Sequence, residues 1–559
     1  MRVAFVALGQ EQLGTSMLSA VLREAGHETA LVFTPALFND RYYFDVPVLK
    51  DVFSRDDLLV DELAAADPDL IAFSVLTPTY QWSLELARKA RARLGVPVIF
   101  GGVHPSAVPE VCLENECVDF VCVGEGEAAL VSLCEALERG ERRPARPIPN
   151  LWWRGDGGAL VKGPNAAFVQ DLDAFPFADK ELWEDHLHLA DHYLIMTSRG
   201  CPYRCTFCFN NFFAKLPGKG GGKYVRQRSV EHVMRELNDA KARWGLNYVD
   251  VEDDIFTVDK EWIAEFTRRY AKEIKAPFQC LSHPRFMDRE IAQMLKDAGC
   301  VHVQIGVQSA DEEYKRRELL RWEKEADLEK ALEAMAAAKL NVKLDHILGL
   351  PNEPLGAQEK ARALYAKYPP RRIQTFWLTY VPGIELTRRA LETGVLTQDQ
   401  VDLINRGQTR VFRHPHLEAE RADAETVKAF YQRVDLLFRM MPLLPAPVRE
   451  RLRAEHLPAL PDRLANAALF ALDAVNSFSR VDLETVLFAR HYGRTALKQL
   501  PELWARVRGQ TPAPRTPRVL LPTQRKRSTT SARGGGRSSE GASASANASM
   551  PAVSNLFAS

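Results

Sequence analysis

The chain has 559 residues, 46% of them apolar, with 73 Lys and Arg residues against 73 Asp and Glu residues. The length predicts about three or four domains, the apolar fraction predicts a sizeable core, and the balanced charge gives no indication of a nucleic-acid partner. Nine cysteines are few for a disulfide scaffold. No signal-peptide pattern and no apolar run of about 18 residues is present, so we expect a cytoplasmic protein without a membrane span.

Residues 1–140 alternate between strand and helix patterns. Five short apolar runs predict strands at Arg2–Leu8, Thr29–Phe33, Leu70–Leu76, Val96–Gly101 and Asp119–Val123. Continuous apolar strands separated by helices are typical of a parallel sheet that is covered on both faces. The pattern predicts an α/β domain of the Rossmann-like, doubly wound type, whose ligands bind beyond the carboxyl ends of the strands.

Small and polar residues lie at the carboxyl ends of the last three of these predicted strands. They are Ser74 and Thr77 at the carboxyl end of the third strand, Gly101, Gly102 and His104 at that of the fourth, and Gly124, Glu125 and Gly126 at that of the fifth. Glycines at such points let a ligand approach the backbone closely. The G-x-G-x-x-G pattern of dinucleotide-binding domains does not follow the first strand, so that class of cofactor is not indicated. Ordinary tight turns are the alternative interpretation of these loops.

Residues 141–190 predict a connector, and a second alternating series begins at Tyr193–Thr197. Directly after this strand pattern come Cys201, Cys205 and Cys208, in the spacing C-x3-C-x2-C. Three thiolates on one short loop suit three irons of a four-iron cluster and leave the fourth iron open. A structural zinc site needs a fourth ligand, which the loop lacks. The favoured interpretation is therefore an iron–sulfur cluster with an open site.

The cysteine segment, with Phe207 between its last two cysteines, resembles the signature of the radical SAM enzymes. The loops at 101–105 (Gly-Gly-x-His-Pro) and 124–127 (Gly-Glu-Gly-Glu) look like those of the cobalamin-binding domain that precedes many radical SAM domains. The resemblance, to the cobalamin (B12)-binding radical SAM enzymes, covers about residues 1–410. It implies a 4Fe-4S cluster on the three cysteines, S-adenosyl-L-methionine (SAM) at the open iron, and cobalamin on the first domain.

One departure from the family pattern concerns cobalt. Many cobalamin-binding domains carry D-x-H-x-x-G, whose histidine ligates the metal, and residues 1–140 lack this motif. Asp345 and His346 give only a near match, with the wrong spacing and in another domain. We therefore expect a corrinoid without a protein histidine on cobalt, and His104 as a loop residue near the cofactor.

Six strand patterns alternate with helix patterns between residues 191 and 410, at Tyr193–Thr197, Tyr248–Glu252, Phe278–Ser282, His302–Val307, Val342–Leu348 and Ile373–Thr379. They predict a partial (β/α)6 barrel, with functional groups at the carboxyl ends of its strands. The resemblance implies SAM contacts there, from Asp253, Asp254, Gln308, Ser309 and Gly349. Helix caps and structural turns are the alternative roles, and Gln308 stands where relatives often have a glutamate.

Two further regions bear on organisation. Cys112, Cys117, Cys122 and Cys134 raise the alternative of a second cluster of the methylthiotransferase type, but they are scattered over strand and helix patterns. Helix patterns dominate residues 411–508, and the Ser-, Ala-, Gly- and Arg-rich composition of residues 509–559 predicts a disordered tail.

The resemblance implies an enzyme, most simply a C-methyltransferase. It would methylate an unactivated carbon of a small-molecule, natural-product or lipid substrate through a 5′-deoxyadenosyl radical and methylcobalamin. The first alternative is a radical SAM cyclase or oxidative rearrangement enzyme, similar to the anaerobic magnesium-protoporphyrin monomethyl ester cyclase. The second is a non-catalytic corrinoid-binding protein, against which the intact cysteine triad argues. An electron donor such as flavodoxin or ferredoxin is the implied protein partner, and the substrate is not readable.

Overall fold

The structure is a computed structural model that describes residues 1–37, 39–40, 44–45, 53–155, 157–217, 221–408, 424–478 and 483–523. It contains two parallel sheets, one N-terminal and one central, each flanked by helices. This confirms the predicted α/β class, with a doubly wound sheet followed by a partial barrel.

The N-terminal sheet is built around five parallel strands. The first nine strands of the chain are β1 (Arg2–Leu8), β2 (Glu28–Thr34), β3 (Asn39–Asp40), β4 (Phe44–Asp45), β5 (Leu70–Ser74), β6 (Val98–Gly101), β7 (Phe120–Cys122), β8 (Leu151–Arg154) and β9 (Leu160–Lys162). The parallel strands run in the order β2-β1-β5-β6-β7, and the hairpin β8–β9 from the connector continues the sheet antiparallel to β7. The order reverses beside β1, where doubly wound sheets bind ligands.

Helices cover both faces of this sheet, at Leu13–Glu24, Leu59–Ala66, Tyr80–Leu94, Val103–Ala107, Pro109–Leu113 and Glu127–Glu138. Phe5 and Leu133 belong to the buried cluster on one face, and Val6 and Phe100 to the cluster on the other. Neighbouring residues of β1 thus enter opposite cores, which explains why the strand is apolar throughout.

The C-terminal part of the chain returns to this sheet. Strand β18 (Val519–Leu520) pairs antiparallel with β2, in register with Ala30 and Thr29. Arg23 holds the chain directly after β18, because its Nε donates to the Leu521 carbonyl at 2.9 Å and its own carbonyl accepts from the Thr523 amide at 3.1 Å. The prediction of a disordered tail is therefore wrong for residues 519–523, since composition does not reveal pairing with an open sheet edge. Residues 524–559 lie outside the described residues.

The central sheet is the predicted partial barrel. Its segment of the chain contributes β10 (Tyr193–Ile195), β11 (Ser198–Arg199), β12 (Arg226–Gln227), β13 (Val249–Val251), β14 (Phe278–Ser282), β15 (Cys300–Gln308), β16 (Asn341–Leu348) and β17 (Arg372–Trp377). Six strands run parallel in the order β10-β13-β14-β15-β16-β17, while β11 and β12 form a separate two-stranded ribbon.

Helices lie outside the barrel strands, at Phe209–Phe213, Val230–Trp244, Lys260–Glu273, Arg289–Asp297, Glu312–Arg317, Glu325–Ala337 and Gly356–Lys367. Four of them begin at hydroxyl or carboxylate caps, because Ser229, Asp259, Asp288 and Asp311 accept hydrogen bonds from first-turn amides. Such caps stabilise a helix start by about 1 kcal/mol each, and they set where each crossover leaves the strand end.

The remaining helices follow the barrel, at Glu385–Glu392, Gln398–Asn405, Ala424–Met440, Ala446–Arg451, Asp462–Phe478 and Leu483–Val507. The helix Ala424–Met440 packs on β17, where Asp435 accepts from Thr375 Oγ1 at 2.6 Å and from Trp377 Nε1 at 3.1 Å. Within the described ranges, no helix is both long and apolar enough to cross a membrane.

Candidate functional site

The cysteine loop starts where the β11–β12 ribbon forces a turn. Gly200 has φ +88°, and a Cβ there would lie 2.5 Å from the Tyr224 carbonyl oxygen, so only glycine fits. The loop ends at Cys208, which is the N-cap of the helix Phe209–Phe213. Its Sγ accepts from the amide of Asn210 at 3.5 Å and from its side chain at 3.6 Å. The loop is thus fixed at both ends by backbone geometry.

The thiols of this loop suit a cluster. Burial raises the pKa of Cys201 to about 12 and that of Cys205 to about 11, and the neighbouring sulfurs add to both shifts. Binding iron therefore has to displace the thiol protons, and the two N–H donors on Cys208 favour the resulting thiolate. Among the described residues, no three His, Cys, Asp or Glu side chains enclose a single metal ion. The cysteines of an iron–sulfur cluster bind different irons, so this arrangement is compatible with a cluster.

A buried charged group behind the loop was not predicted from the sequence. Arg321 donates to Glu323 at 2.8 Å and to the Gly306 carbonyl at 2.9 Å. Lys315 Nζ donates to the same Glu323 oxygen at 3.3 Å. The positive charge of Arg321 opposes the effect of burial on the pKa of Cys205, so it stabilises a thiolate there. No motif marks these residues, and only the fold brings them to the cysteines.

The two predicted aspartates have different surroundings. Asp253 is buried, and its carboxylate accepts from the Thr197 amide at 2.6 Å, from the Ser198 amide at 3.1 Å and from the Thr197 hydroxyl. It holds the chain just before the cysteine loop. Asp254 faces the neighbouring cavity and accepts from Asn210 Nδ2 at 2.8 Å. Of the two, only Asp254 is placed to meet a ligand.

A cavity of about 470 Å³ lies between the carboxyl edge of the N-terminal sheet and the barrel. The barrel side includes Ser198, Arg199, Gly200, Asn210, Tyr224, Glu252 and Asp254, and the other side includes six of the predicted residues, Ser74, Gly101, Gly102, Gly124, Glu125 and Gly126. Apolar side chains such as Phe5, Leu18 and Ile99 extend it between the sheet and the first helix. The structure therefore brings both sets of predicted loops to one cavity.

Glycines line the carboxyl edge of the N-terminal sheet, and we call it the glycine edge. This edge fits a large ligand that packs against the backbone. Gly102 has φ +99°, and a Cβ there would lie 2.9 Å from the Val75 amide nitrogen. Gly124 has φ +86°, a conformation that side chains disfavour, and a Cβ on Gly126 would lie 3.3 Å from Cys122 Sγ. The missing side chains keep this edge open and largely apolar, which suits the corrinoid that the sequence predicts.

Two residues predicted to lie beside the cofactor are turned away from the cavity. His104 is fully buried, its Nδ1 lies 3.1 Å from Thr77 Oγ1, and its ring lies 4.1 Å from that of Tyr80. Burial lowers the pKa of His104 to about 4, so the ring is neutral. These contacts place His104 and Thr77 beneath the loop surface, where they support it.

Three further predicted residues do not line the cavity. Gln308 has φ +64° and folds its amide over Gly306, while Ser309 is fully buried. Gly349 has φ +76°, as a turn at the end of β16 requires. All three end barrel strands as predicted, but their contact with SAM stays a prediction.

The four N-terminal cysteines do not converge. Cys112 and Cys117 lie in the core on one face of the sheet, and Cys122 and Cys134 lie in the core on the other. All four are buried. The sheet separates the two pairs, which agrees with the prediction against a second cluster.

Comparison with known proteins identifies both halves of the site. A family model of the Radical SAM superfamily matches residues 195–363, and one of the B12 binding domain matches residues 3–134. Together the two matches span more than half of the 559 residues.

Two curated relatives have different activities in their names. An uncharacterized methyltransferase of Pyrococcus horikoshii is 27% identical over 305 residues, 53% of this chain and 63% of the relative. The anaerobic magnesium-protoporphyrin IX monomethyl ester cyclase of Rubrivivax gelatinosus is 21% identical over 374 residues, 64% of this chain and 62% of the relative. The chain thus spans less than two thirds of either relative.

Among solved structures, the cobalamin-dependent S-adenosylmethionine radical enzyme OxsB with aqua-cobalamin bound is similar, with a TM-score of 0.60 and 15% identity over 90% of this chain and 76% of OxsB. At this identity the likeness shows the fold. The two domain matches, the cysteine loop and the glycine edge agree with one another. The chain therefore belongs to the radical SAM enzymes that carry a B12-binding domain, whose cofactors are a 4Fe-4S cluster, SAM and cobalamin.

Proposed function

We propose that the protein methylates an unactivated carbon of a small molecule, natural product or lipid. The observation that carries this proposal is the shared cavity, which is lined by the glycine loops of the B12-binding domain and by residues on both sides of the cysteine loop. A substrate between them would meet both cofactors. The name of the Pyrococcus relative, a methyltransferase, supports the same reaction.

The residues divide the work between holding cofactors and shaping the cavity. When bound, the cluster with SAM supplies a radical that removes a hydrogen atom, and the corrinoid supplies a methyl group. Cys201, Cys205 and Cys208 are the cluster ligands in this proposal. Asn210 donates a hydrogen bond to Asp254 at the cavity wall. In this proposal the two side chains present an amide and a carboxylate to SAM. The apolar lining excludes water from reactive species.

Glu252 is the acid–base group of the proposed site. It faces the cavity, and burial, followed by the charge of Asp250, raises the pKa of Glu252 to about 7. A carboxyl that titrates near neutral pH can hold or release a proton during the reaction. Asp250 in turn accepts from Gln279 at 2.6 Å and lies 3.0 Å from His192 Nε2, so two neighbouring side chains hold its carboxylate in place.

An anaerobic assay tests the proposal. The reconstituted protein is given SAM, methylcobalamin and an electron donor, reduced flavodoxin or ferredoxin being the proposed partner. With substrate in excess over methylcobalamin, methylation requires that S-adenosylhomocysteine forms together with 5′-deoxyadenosine, because SAM then has to remethylate the corrinoid. If neither product forms with any candidate substrate, the protein is a corrinoid-binding protein rather than an enzyme of this type.

Cyclisation is the second candidate, favoured by the relative from Rubrivivax gelatinosus. A cyclase or oxidative rearrangement enzyme would form 5′-deoxyadenosine without S-adenosylhomocysteine, because no methyl group is transferred. The same assay therefore separates the two reactions. The corresponding substrates also differ, since a porphyrin ester would have to enter the cavity for the cyclase reaction.

A further inference from the structure

Two glutamates of the Gly124–Glu127 loop bind arginines that flank the cysteine loop. Arg226 donates to both carboxylate oxygens of Glu125, at 2.6 and 3.1 Å. Arg199 donates to Glu127 at 2.6 Å and lies 3.2 Å from Glu125. All four side chains line the cavity, and those of Arg226 and Glu127 are only 3% and 9% exposed. We call these four residues the clamp.

The clamp offsets a repulsion between two arginines in the β11–β12 ribbon, which flanks the cysteine loop. Arg199 of β11 and Arg226 of β12 stand directly opposite each other. Like charges in that position destabilise a strand pair, and this ribbon has only two residues on each strand. Glu125 reaches both arginines and offsets their repulsion. The ribbon ends immediately before Gly200 and Cys201, so its stability bears on the position of the first cluster ligand.

The arginines favour the ionised form of Glu125. Burial raises the pKa of Glu125, but the hydrogen bonds and charges of Arg226 and Arg199 outweigh this effect and hold the pKa below its ordinary value. Replacing a glutamate would leave a buried arginine unpaired, which is strongly unfavourable. Arg226 is fixed elsewhere too, because it donates to the Val169 carbonyl at 3.0 Å and stacks on Phe168.

The two glutamates also border the glycine edge, where we expect the corrinoid to bind. Glu125 stands between Gly124 and Gly126, the two glycines that keep this edge open, and Glu127 begins the helix Glu127–Glu138. The sequence suggests that Glu125 contacts the cofactor, whereas its carboxylate is occupied by arginines of the barrel. A ligand that fixes this loop would therefore also fix the ribbon.

We propose that Glu125 and Glu127 are positioning residues that couple the corrinoid-binding loop to the cluster-binding loop. Occupancy of the corrinoid site orders the ribbon, and through it the segment 198–208 that carries the cysteines. The coupling concerns the two cofactor sites and is independent of whether the reaction is methylation or cyclisation.

Hydrogen–deuterium exchange of the anaerobically reconstituted full-length protein tests the coupling, with and without hydroxocobalamin. In the wild type, cobalamin should slow exchange in the peptide covering residues 198–208 by about fivefold, the lower end of typical coupling between sites. In Glu125→Gln this slowing should be lost while iron content stays unchanged. The matched control is Glu110→Gln, which removes a half-exposed pair with Lys162 (2.8 Å) in the same domain and should behave as wild type.

A spectroscopic readout follows the relative position of the two sites. The reduced cluster should broaden the electron paramagnetic resonance (EPR) signal of cob(II)alamin, and the broadening should change in Glu125→Gln but not in Glu110→Gln. Glu127→Gln, which leaves the Glu125–Arg226 bonds in place, provides a milder variant should Glu125→Gln not fold, and we expect a partial loss of protection. Wild-type protection in both clamp variants, equal loss in the control, or no cobalamin effect in the wild type would overturn the proposal. Absence of methylation would leave these readouts unaffected.

Discussion

The two parallel sheets present their carboxyl edges to one cavity with opposite chemistry. The barrel edge offers side chains such as Asn210 and Asp254 beside the cysteine loop, whereas the N-terminal edge offers backbone left bare by Gly102 and Gly124. We expect the barrel edge to bind its cofactor through side-chain groups and the N-terminal edge to bind its cofactor through the shape of the backbone. Removing a side-chain group should therefore weaken cofactor binding at the barrel edge, and adding a side chain should weaken it at the N-terminal edge.

The largest effect is expected from Cys201→Ala, which removes one of the three proposed cluster ligands. SAM cleavage to 5′-deoxyadenosine should fall below detection, and the iron content should drop with it. Cys117→Ala is the matched control, because this buried thiol lies in an apolar core and its loss should leave the cluster in place. Retained SAM cleavage in Cys201→Ala would remove the basis for the proposed site.

Adding one methyl group at Gly102 should weaken cobalamin binding at the N-terminal edge. Gly102→Ala requires a strained backbone at φ +99° and a clash with Val75, at a cost of about 1–3 kcal/mol. We expect cobalamin affinity to fall by about tenfold or more, by the correspondence of 1.4 kcal/mol to one factor of ten, with iron content unchanged.

Gly356→Ala serves as the control for this prediction. A Cβ at Gly356 meets no atom within 4 Å, so cobalamin titration followed by absorbance should give the wild-type affinity. A loss of iron in Gly102→Ala would show that the edge is structural for the whole cavity and would contradict the division of roles between the two edges.

A smaller effect concerns the stability cost of charged side chains in the barrel. Burial raises the pKa of Asp345 to about 6, and its Oδ1 has no hydrogen-bond partner among the described residues. A folded-state pKa above the unfolded value means that stability falls as pH rises from about 4 to 6 and stays lower above that. Asp345→Asn should abolish this fall and stabilise the protein at neutral pH by up to about 3 kcal/mol.

Thermal midpoints measured between pH 4 and 8 check this sign. The exposed carboxylate of Asp297 is the comparison, and Asp297→Asn should keep the wild-type pH profile. A lower midpoint of Asp345→Asn at pH 7 would mean that the ionised carboxylate has a stabilising partner, such as a bound water network, that outweighs its burial.

The smallest effect is expected from removing a functional group at the N-terminal edge. His104 is buried against Thr77 and Tyr80, so it should not ligate cobalt. The EPR spectrum of bound cob(II)alamin should lack nitrogen splitting from a protein histidine and should be the same in His104→Gln. Splitting that is present in the wild type and lost in the variant would reverse this assignment.

These contrasts also explain what the sequence could predict. The cysteines lie within eight residues, so their spacing alone carries the chemistry, and apolar alternation was enough for both sheets. Asp253 shows the limit, because its partners Thr197 and Ser198 are more than 50 residues away and are reached only across parallel strands. Arg321 has the same difficulty, since its position behind the cysteines depends on the whole barrel.

The return of β18 to β2 has a consequence for how the molecule is made. The N-terminal sheet keeps an unpaired edge at β2 until residues 519–520 have left the ribosome, although the rest of that sheet is complete some 360 residues earlier, at β9. Exposed strand edges invite pairing with other chains. The open edge of β2 is therefore exposed during synthesis of the chain, and it is covered only once β18 has emerged.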